Sequence, residues 1–327
     1  MISKRTFVCA LLAAACGLGG SASAQSFPNK PIRMVVGFAP GGPADVMARL
    51  IGQRISGTLG QSVVIDNRPG AGGTIGARVV AESDPDGYTL LLAENAVAIS
   101  QALYKKSKSN FDPITQYDAV AGLAASPSAL VVANNVPVKT VKELLAYSKT
   151  VPQKMNFASA GVGSVSHLNF EVFMDKTGMQ GVHVPYKGGG QAIGDVIAGH
   201  VPMTITSVQA VKGLVESSKM RALAVTSPER SPALPDVPTM QEAGVPAADV
   251  ELRFWFAIFG PKGLPDVVKA KLSQAITKVM TNPKVAERLA KLDITPNVIS
   301  GPAMHAKLVS EIKNWTRFVD AKGIKAE

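Results

Sequence analysis

Two stretches put the chemistry on the backbone rather than on side chains. In Phe38-Ala39-Pro40-Gly41-Gly42-Pro43-Ala44-Asp45 an apolar run gives way to two glycines and then to a proline suited to the first turn of a helix. The free N–H groups of such a turn, with the positive end of the helix dipole, hold an anion without a charged side chain. Asp45 either caps that helix or accepts a hydrogen bond from a ligand hydroxyl or amine. Ser159-Ala160-Gly161-Val162-Gly163-Ser164-Val165-Ser166-His167 repeats the pattern, with Ser164 and Ser166 as caps or donors and His167 placed to donate to a carboxylate. Either loop alone is also readable as a tight turn; together they look like two halves of one anion clamp. Val184-Pro185-Tyr186-Lys187-Gly188-Gly189-Gly190 is a third loop of this kind.

Motifs for turnover fail one by one. In Asn67-Arg68-Pro69-Gly70-Ala71-Gly72-Gly73-Thr74-Ile75-Gly76 the third glycine of a dinucleotide fingerprint is replaced by Ile75, and no Walker A loop is present. Phe157-Ala158-Ser159-Ala160-Gly161 lacks the first glycine of a nucleophile elbow. His167, His183, His200 and His305 show no metalloprotease spacing and no nearby carboxylate ladder, so neither a metal nor a nucleophile with its base is expected. This leans towards binding rather than catalysis, with no cofactor.

The elements needed to position these loops alternate along the chain. Strands are expected over 31–38, 62–66 and 88–93 with helices over 45–59 and 75–83, a βαβαβ rhythm that implies a largely parallel sheet. After further strands over 119–124 and 129–134 and a helix over 141–149, a second series follows: strand 156–159, helix 165–177, strand 182–186, helix 191–198, then strands 203–206 and 221–226. Ser227 to Val250 is Pro-rich and irregular; a strand over 252–259 and three helices within 265–322 close the chain. Two such α/β lobes place a ligand at the carboxyl ends of their strands, in the cleft between them. Leu252-Arg253-Phe254-Trp255-Phe256 is read as core, or as an apolar wall of that cleft.

Composition agrees with an exported globular protein. Of 327 residues 46% are apolar and 18% charged, which excludes a disordered tail and a disulfide scaffold. Lys4 and Arg5, an uncharged run from Phe7 to Leu18 and the small residues Ser21-Ala22-Ser23-Ala24 read as a signal peptide over 1–24. Its removal takes the formal charge from +10 to +8, since it holds two basic and no acidic residues. Both cysteines, Cys9 and Cys16, fall within it; Leu12-Ala13-Ala14-Ala15-Cys16 resembles a lipobox only loosely, so lipid attachment at Cys16 is the lesser reading. With 6% aromatic residues and one short basic cluster, Lys105-Lys106-Ser107-Lys108, a nucleic-acid partner is not expected; a net positive field favours small anions.

The ordered series Gly37-Phe38-Ala39-Pro40-Gly41-Gly42-Pro43-Ala44-Asp45, Asn67-Arg68-Pro69-Gly70-Ala71-Gly72-Gly73, Pro85-Asp86-Gly87-Tyr88-Thr89-Leu90-Leu91, Gly161-Val162-Gly163-Ser164, Pro185-Tyr186-Lys187-Gly188-Gly189 and Leu234-Pro235-Asp236-Val237-Pro238-Thr239 resembles the Bug family of periplasmic solute-binding proteins, the TctC-like receptors of tripartite tricarboxylate transporters. The resemblance spans essentially the whole mature chain. It implies a two-lobed periplasmic-binding-protein (Venus-flytrap) fold, with two mixed sheets flanked by helices, lobe 1 formed by 25–125 and 247–327 and lobe 2 by 126–246. It implies a monomeric periplasmic protein that captures a small carboxylate and delivers it to the membrane components of such a transporter. Carried over residue by residue, the ligand site comprises Phe38, Ala39, Pro40, Gly41, Gly42, Ala44, Asp45, Ala93, Asn95, Ser159, Ala160, Gly161, Ser164, His167 and Ser207. Where the family has Trp-x-Gly this chain has Trp255-Phe256-Ala257, which adds Phe256 to the site and leaves an aromatic carboxylate open beside di- and tricarboxylates. A periplasmic sensor and, behind it, an α/β transferase are the competing functions.

Overall fold

The computed structural model describes residues 27–104, 112–248, 250, 252–291 and 293–325. The leader over 1–24 and the basic cluster Lys105-Lys106-Ser107-Lys108 lie outside the described residues. The chain begins with β1 (Ile32–Val36), α1 (Pro43–Leu59), β2 (Val63–Asn67), a single 3-10 turn (Ala71–Gly73), α2 (Thr74–Ala81), β3 (Thr89–Glu94), α3 (Ala96–Tyr104), α4 (Pro113–Gln116) and β4 (Tyr117–Ser126). It continues with β5 (Ser128–Val132), α5 (Val141–Tyr147), β6 (Met155–Ser159), α6 (Val165–Thr177), β7 (Gly181–Pro185), α7 (Gly189–Ile197), β8 (Met203–Ser207), α8 (Val208–Glu216) and β9 (Arg221–Val225). It ends with β10 (Phe254–Pro261), α9 (Asp266–Met280), α10 (Pro283–Ala290), β11 (Thr295–Ser300) and α11 (Gly301–Lys322).

Two sheets result, in the orders β11-β4-β10-β3-β1-β2 and β7-β6-β8-β5-β9. Both are mixed. In the first, β1 is parallel to β2 and β3, while β10 returns antiparallel between β3 and β4. In the second, β6 is parallel to β7 and β8, and β5 is antiparallel to β8 and β9. The expected largely parallel sheet is thus half the picture, because a strand from late in the chain is inserted antiparallel into the middle of the first sheet. The chain passes between the sheets at Pro127 and again through 226–253.

Each sheet has its own apolar core. Helix α6 belongs to both: Val165, Leu168 and Val172 pack into the first core, Phe170 and Phe173 into the second. Its Asp175 also pairs with Lys322 of α11 at 2.5 Å. The helix therefore ties the two lobes behind the cleft.

Four elements escape the sequence reading, for identifiable reasons. Helix α3 is buried at Ala96, Val97, Ala98, Ile99, Ala102 and Leu103, so no polar face marks a helical stripe. Helix α8 follows β8 without a connecting loop. Strand β11 holds Pro296 and lies at the edge of its sheet, where a missing N–H costs least. Asp112 caps α4, accepting from the Ile114 N–H at 3.0 Å, and this turn delivers the chain into β4. Among the described residues no helix is long and apolar enough to cross a membrane.

Candidate functional site

The first glycine loop leaves β1 at Val36 and enters α1 at Pro43. Gly42 is the N-cap, with extended backbone and no side chain to satisfy the first-turn N–H groups. Asp45 does not face outward. Its carboxylate accepts from the Gly41 N–H at 3.0 Å, from Asn67 Nδ2 at 3.0 Å and from Arg49 Nε at 3.0 Å, and it is 3% exposed. Burial pushes its pKa up, but Arg49, the Gly41 N–H and Asn67 together outweigh burial and hold it below the usual carboxylate range. Asn67 Nδ2 also donates to Phe38 O at 2.9 Å, so Asp45 and Asn67 fix the loop from within.

The second glycine loop is built differently. Ser164 caps α6, accepting from the His167 N–H at 3.3 Å. The Ala160 N–H donates to Ser166 Oγ at 2.9 Å, the Gly161 N–H to Ser159 Oγ at 3.0 Å, and the Gly163 N–H to His167 Nδ1 at 3.3 Å. His167 therefore supports its own loop, with Nε2 3.6 Å from Glu171 Oε1.

Pairing of β6 with β7 sets Phe157 beside His183, and Ser159 Oγ lies 2.5 Å from His183 Nε2. The rings of His167 and His183 stack at 4.0 Å. The sequence shows no nucleophile with its base; the fold supplies a serine–histidine contact across 24 residues. It lacks the properties of a reactive pair. Ser159 is fully buried and already receives the Gly161 N–H, and burial, with His167 adding to it, pushes His183 down to about 3.

The lobes meet glycine to glycine. A Cβ on Gly42 would stand 3.3 Å from Gly189 N, one on Gly188 2.7 Å from Ala39 N, and one on Gly190 2.7 Å from Pro40 O. A Cβ on Gly72 would stand 2.3 Å from Val162 O, and one on Gly161 3.9 Å from Gly72 N. The Ala39 N–H donates to Lys187 O at 3.3 Å, and Gln209 Nε2 donates to Pro43 O at 3.0 Å. Ser100 Oγ lies 3.3 Å from Gly72 O and 3.5 Å from Gly163 O. The N-termini of α1 and α7, neither with a side-chain cap, thus abut across the seam.

Ser207 is the N-cap of α8, yet its Oγ caps nothing and has no hydrogen-bond partner; Gln209 Oε1, Glu94 Oε2 and Asn95 Oδ1 are likewise buried and unpartnered. Asn95 Nδ2 donates to Arg253 O at 3.1 Å, which orients its amide. These atoms sit at the carboxyl ends of β3 and β8.

The structure thus brings Ala39, Pro40, Gly41, Gly42 and Gly161 to the seam, with Phe38 and Ala44 buried behind the first loop and Ala93 and Asn95 at the end of β3. Ser159, Ala160, Ser164 and His167 form the internal scaffold of the second loop. Phe256 lies in the first core, 6.3 Å from the stacked ring of Phe254. The sequence reading leaves Gly72, Ser100, Gly190 and Gln209 out of the site. Gly72 and Gly190 carry a signal, glycines in strand-to-helix loops; Ser100 and Gln209 carry none.

Residues 47–324 match the model of the tripartite tricarboxylate transporter family receptor, TctC. The chain is 34% identical over 318 residues to protein BugT of Bordetella pertussis, covering 97% of each. Its fold matches the structure of the periplasmic binding protein BugD with a TM-score of 0.87, at 33% identity over 92% of this chain and all of that one. A Rhodopseudomonas relative, R. palustris Rpa4515, solved with adipate, matches with a TM-score of 0.86 at 33% identity, over 91% of this chain and 99% of that one.

Proposed function

The chain belongs to the tripartite tricarboxylate transporter family of receptors, and from that premise we propose that it captures a small di- or tricarboxylate between its lobes and delivers it to the membrane components of such a transporter. One observation carries the reading: two uncapped helix N-termini, of α1 and α7, abut across the seam between the lobes. Like ends of two dipoles repel, and an anion beside both relieves the repulsion. The unpartnered Ser207 Oγ supplies a donor to the same ligand. Such an anion contacts both lobes only when they are shut, so it binds the closed state more tightly and favours it.

We read lobe 1 as 25–125 with 247–327 and lobe 2 as 126–246, and the molecule as a periplasmic monomer exported by the leader over 1–24. The buried Ser159–His183 contact serves loop geometry, which supports a receptor rather than an enzyme.

A thermal-shift screen of the mature protein, unfolded and refolded to strip carried-over ligand, tests this. At a concentration about 100-fold above its dissociation constant the right carboxylate adds about 2.7 kcal/mol, several degrees for a chain of this size. Aliphatic acids should produce the shift. No shift with any di-, tri- or aromatic carboxylate overturns the reading.

A further inference from the structure

Glu94 is an anomaly in a site built for anions. It ends β3 directly opposite Phe256 of β10, is 5% exposed, and its Oε2 has no hydrogen-bond partner. With Gly37, Phe38, Gly72, Gly73 and Ala96 it lines a cavity of about 20 Å³. That is room for one water-sized group, one heavy atom with its hydrogens. The rest of the wall is backbone and apolar carbon. Gly37 and Phe38 begin the loop that runs into α1, so the cavity lies at the root of the loop whose far end carries the anion-binding helix end.

A buried carboxyl without a partner either keeps its proton or waits for a cation. Burial alone pushes Glu94 up to about 8, and no neighbouring charge contributes. The other acid at the cleft, Asp45, is already committed to Gly41, Asn67 and Arg49. No side chain of the cavity wall is a cation, so the cation has to arrive with the ligand. The next residue, Asn95, follows the same strand with another buried, unpartnered acceptor, Oδ1, which lies outside the cavity's lining.

We propose that Glu94 selects ligands bearing a cationic nitrogen beside their carboxylate, the ammonium seated in this cavity against the Glu94 carboxylate while the ligand's own carboxylate meets the end of α1. The inference deepens the receptor reading and rests on it. Binding is then an exchange: the Glu94 carboxyl gives its proton to solvent, and the carboxylate left behind pairs with the incoming ammonium.

Calorimetry on the stripped mature protein with matched acids tests this: L-aspartate against succinate, L-glutamate against glutarate, and 2-aminoadipate against adipate. In one pair the amino acid should bind about 30-fold or more tighter than its amine-free partner, the scale of a close buried charge pair. Measured in buffers of different ionisation heat near pH 7, its binding should release about one proton, and that of the amine-free acid none. Glu94→Gln, which keeps shape and neutrality, should abolish both the preference and the proton release. An amine-free or hydroxyl-bearing acid that binds more tightly than the amino acid overturns the inference and leaves the receptor intact, as does a preference that survives in the variant. The proton count on the wild-type protein decides the matter even where the variant folds poorly. If no acid of the set binds, both readings fall together.

Discussion

The two glycine loops look alike in sequence and differ in what they do with their N–H groups. The loop before α6 spends those of Ala160, Gly161, Gly163 and His167 on its own serines and histidine. The loop before α1 has a glycine N-cap and is braced from the side by Asp45 and Asn67, which leaves the helix end open. The open ends facing the first loop come from elsewhere in the second lobe, from α7 behind Gly188 and α8 behind Ser207. A repeated pattern of strand, glycines and helix is therefore evidence of a tight turn; whether the turn binds depends on its caps.

The largest test of that contrast substitutes one glycine in each loop. Gly42 has ordinary extended backbone, and its missing Cβ faces Gly189 of the other lobe. Gly42→Val should leave the melting temperature of the empty protein nearly unchanged and weaken carboxylate binding about 100-fold, because overpacking falls only on the closed seam. Gly161 sits at φ +120° with its Cβ position 2.9 Å from Tyr186 O. Gly161→Val should lose about 1–3 kcal/mol of folding stability as well as binding. Equal melting temperatures for the two variants would erase the distinction.

A smaller effect separates the loops by pH. His183 is held neutral in the fold, with its pKa lowered from 6.5 to about 3. The unfolded chain takes up that proton first, so this stabilisation is complete above about 6.5 and is lost as pH falls towards 3. His183→Gln should flatten the fall in melting temperature over that window. A curve as steep as that of the wild type would mean that the sensitivity lies elsewhere. The smallest effect is that of Ser164→Ala, which removes the α6 cap; chemical denaturation should show a loss of about 1 kcal/mol. Carboxylate affinity should stay within about threefold, since the ligand meets other helix ends. A larger drop in affinity would return Ser164 to the ligand.

Much of the fold was legible because its signals are local. Alternation of Val-rich runs with amphipathic segments marks β1, α1, β2 and α2 to within two residues, and α6 over 165–177 without error. The mixed character of the first sheet was legible only through the family resemblance and not in the local alternation, since β10 is inserted from more than a hundred residues downstream of its neighbour β4. The glycine loops were visible as loops, with Asp45 read as a cap or ligand contact and His167 as a ligand contact; in the fold each braces its own turn. The reason is geometric: a polar side chain one turn into a helix reaches back to the loop as readily as outward. Gln209 and Glu94 had no pattern to betray them. Their importance comes from burial without a partner, a property of the assembled molecule.

The glycine seam sets a limit on size. With a Cβ on Gly72 2.3 Å from Val162 O and one on Gly188 2.7 Å from Ala39 N, the seam at those two glycines has no room for a methyl group. Any acid bound there must be swallowed whole, so the same carboxylate attached to a peptide, a sugar or a coenzyme would hold the jaws ajar. A receptor that closes on this seam is expected to reject conjugates and take free acids, a discrimination made by the absence of side chains rather than by their presence.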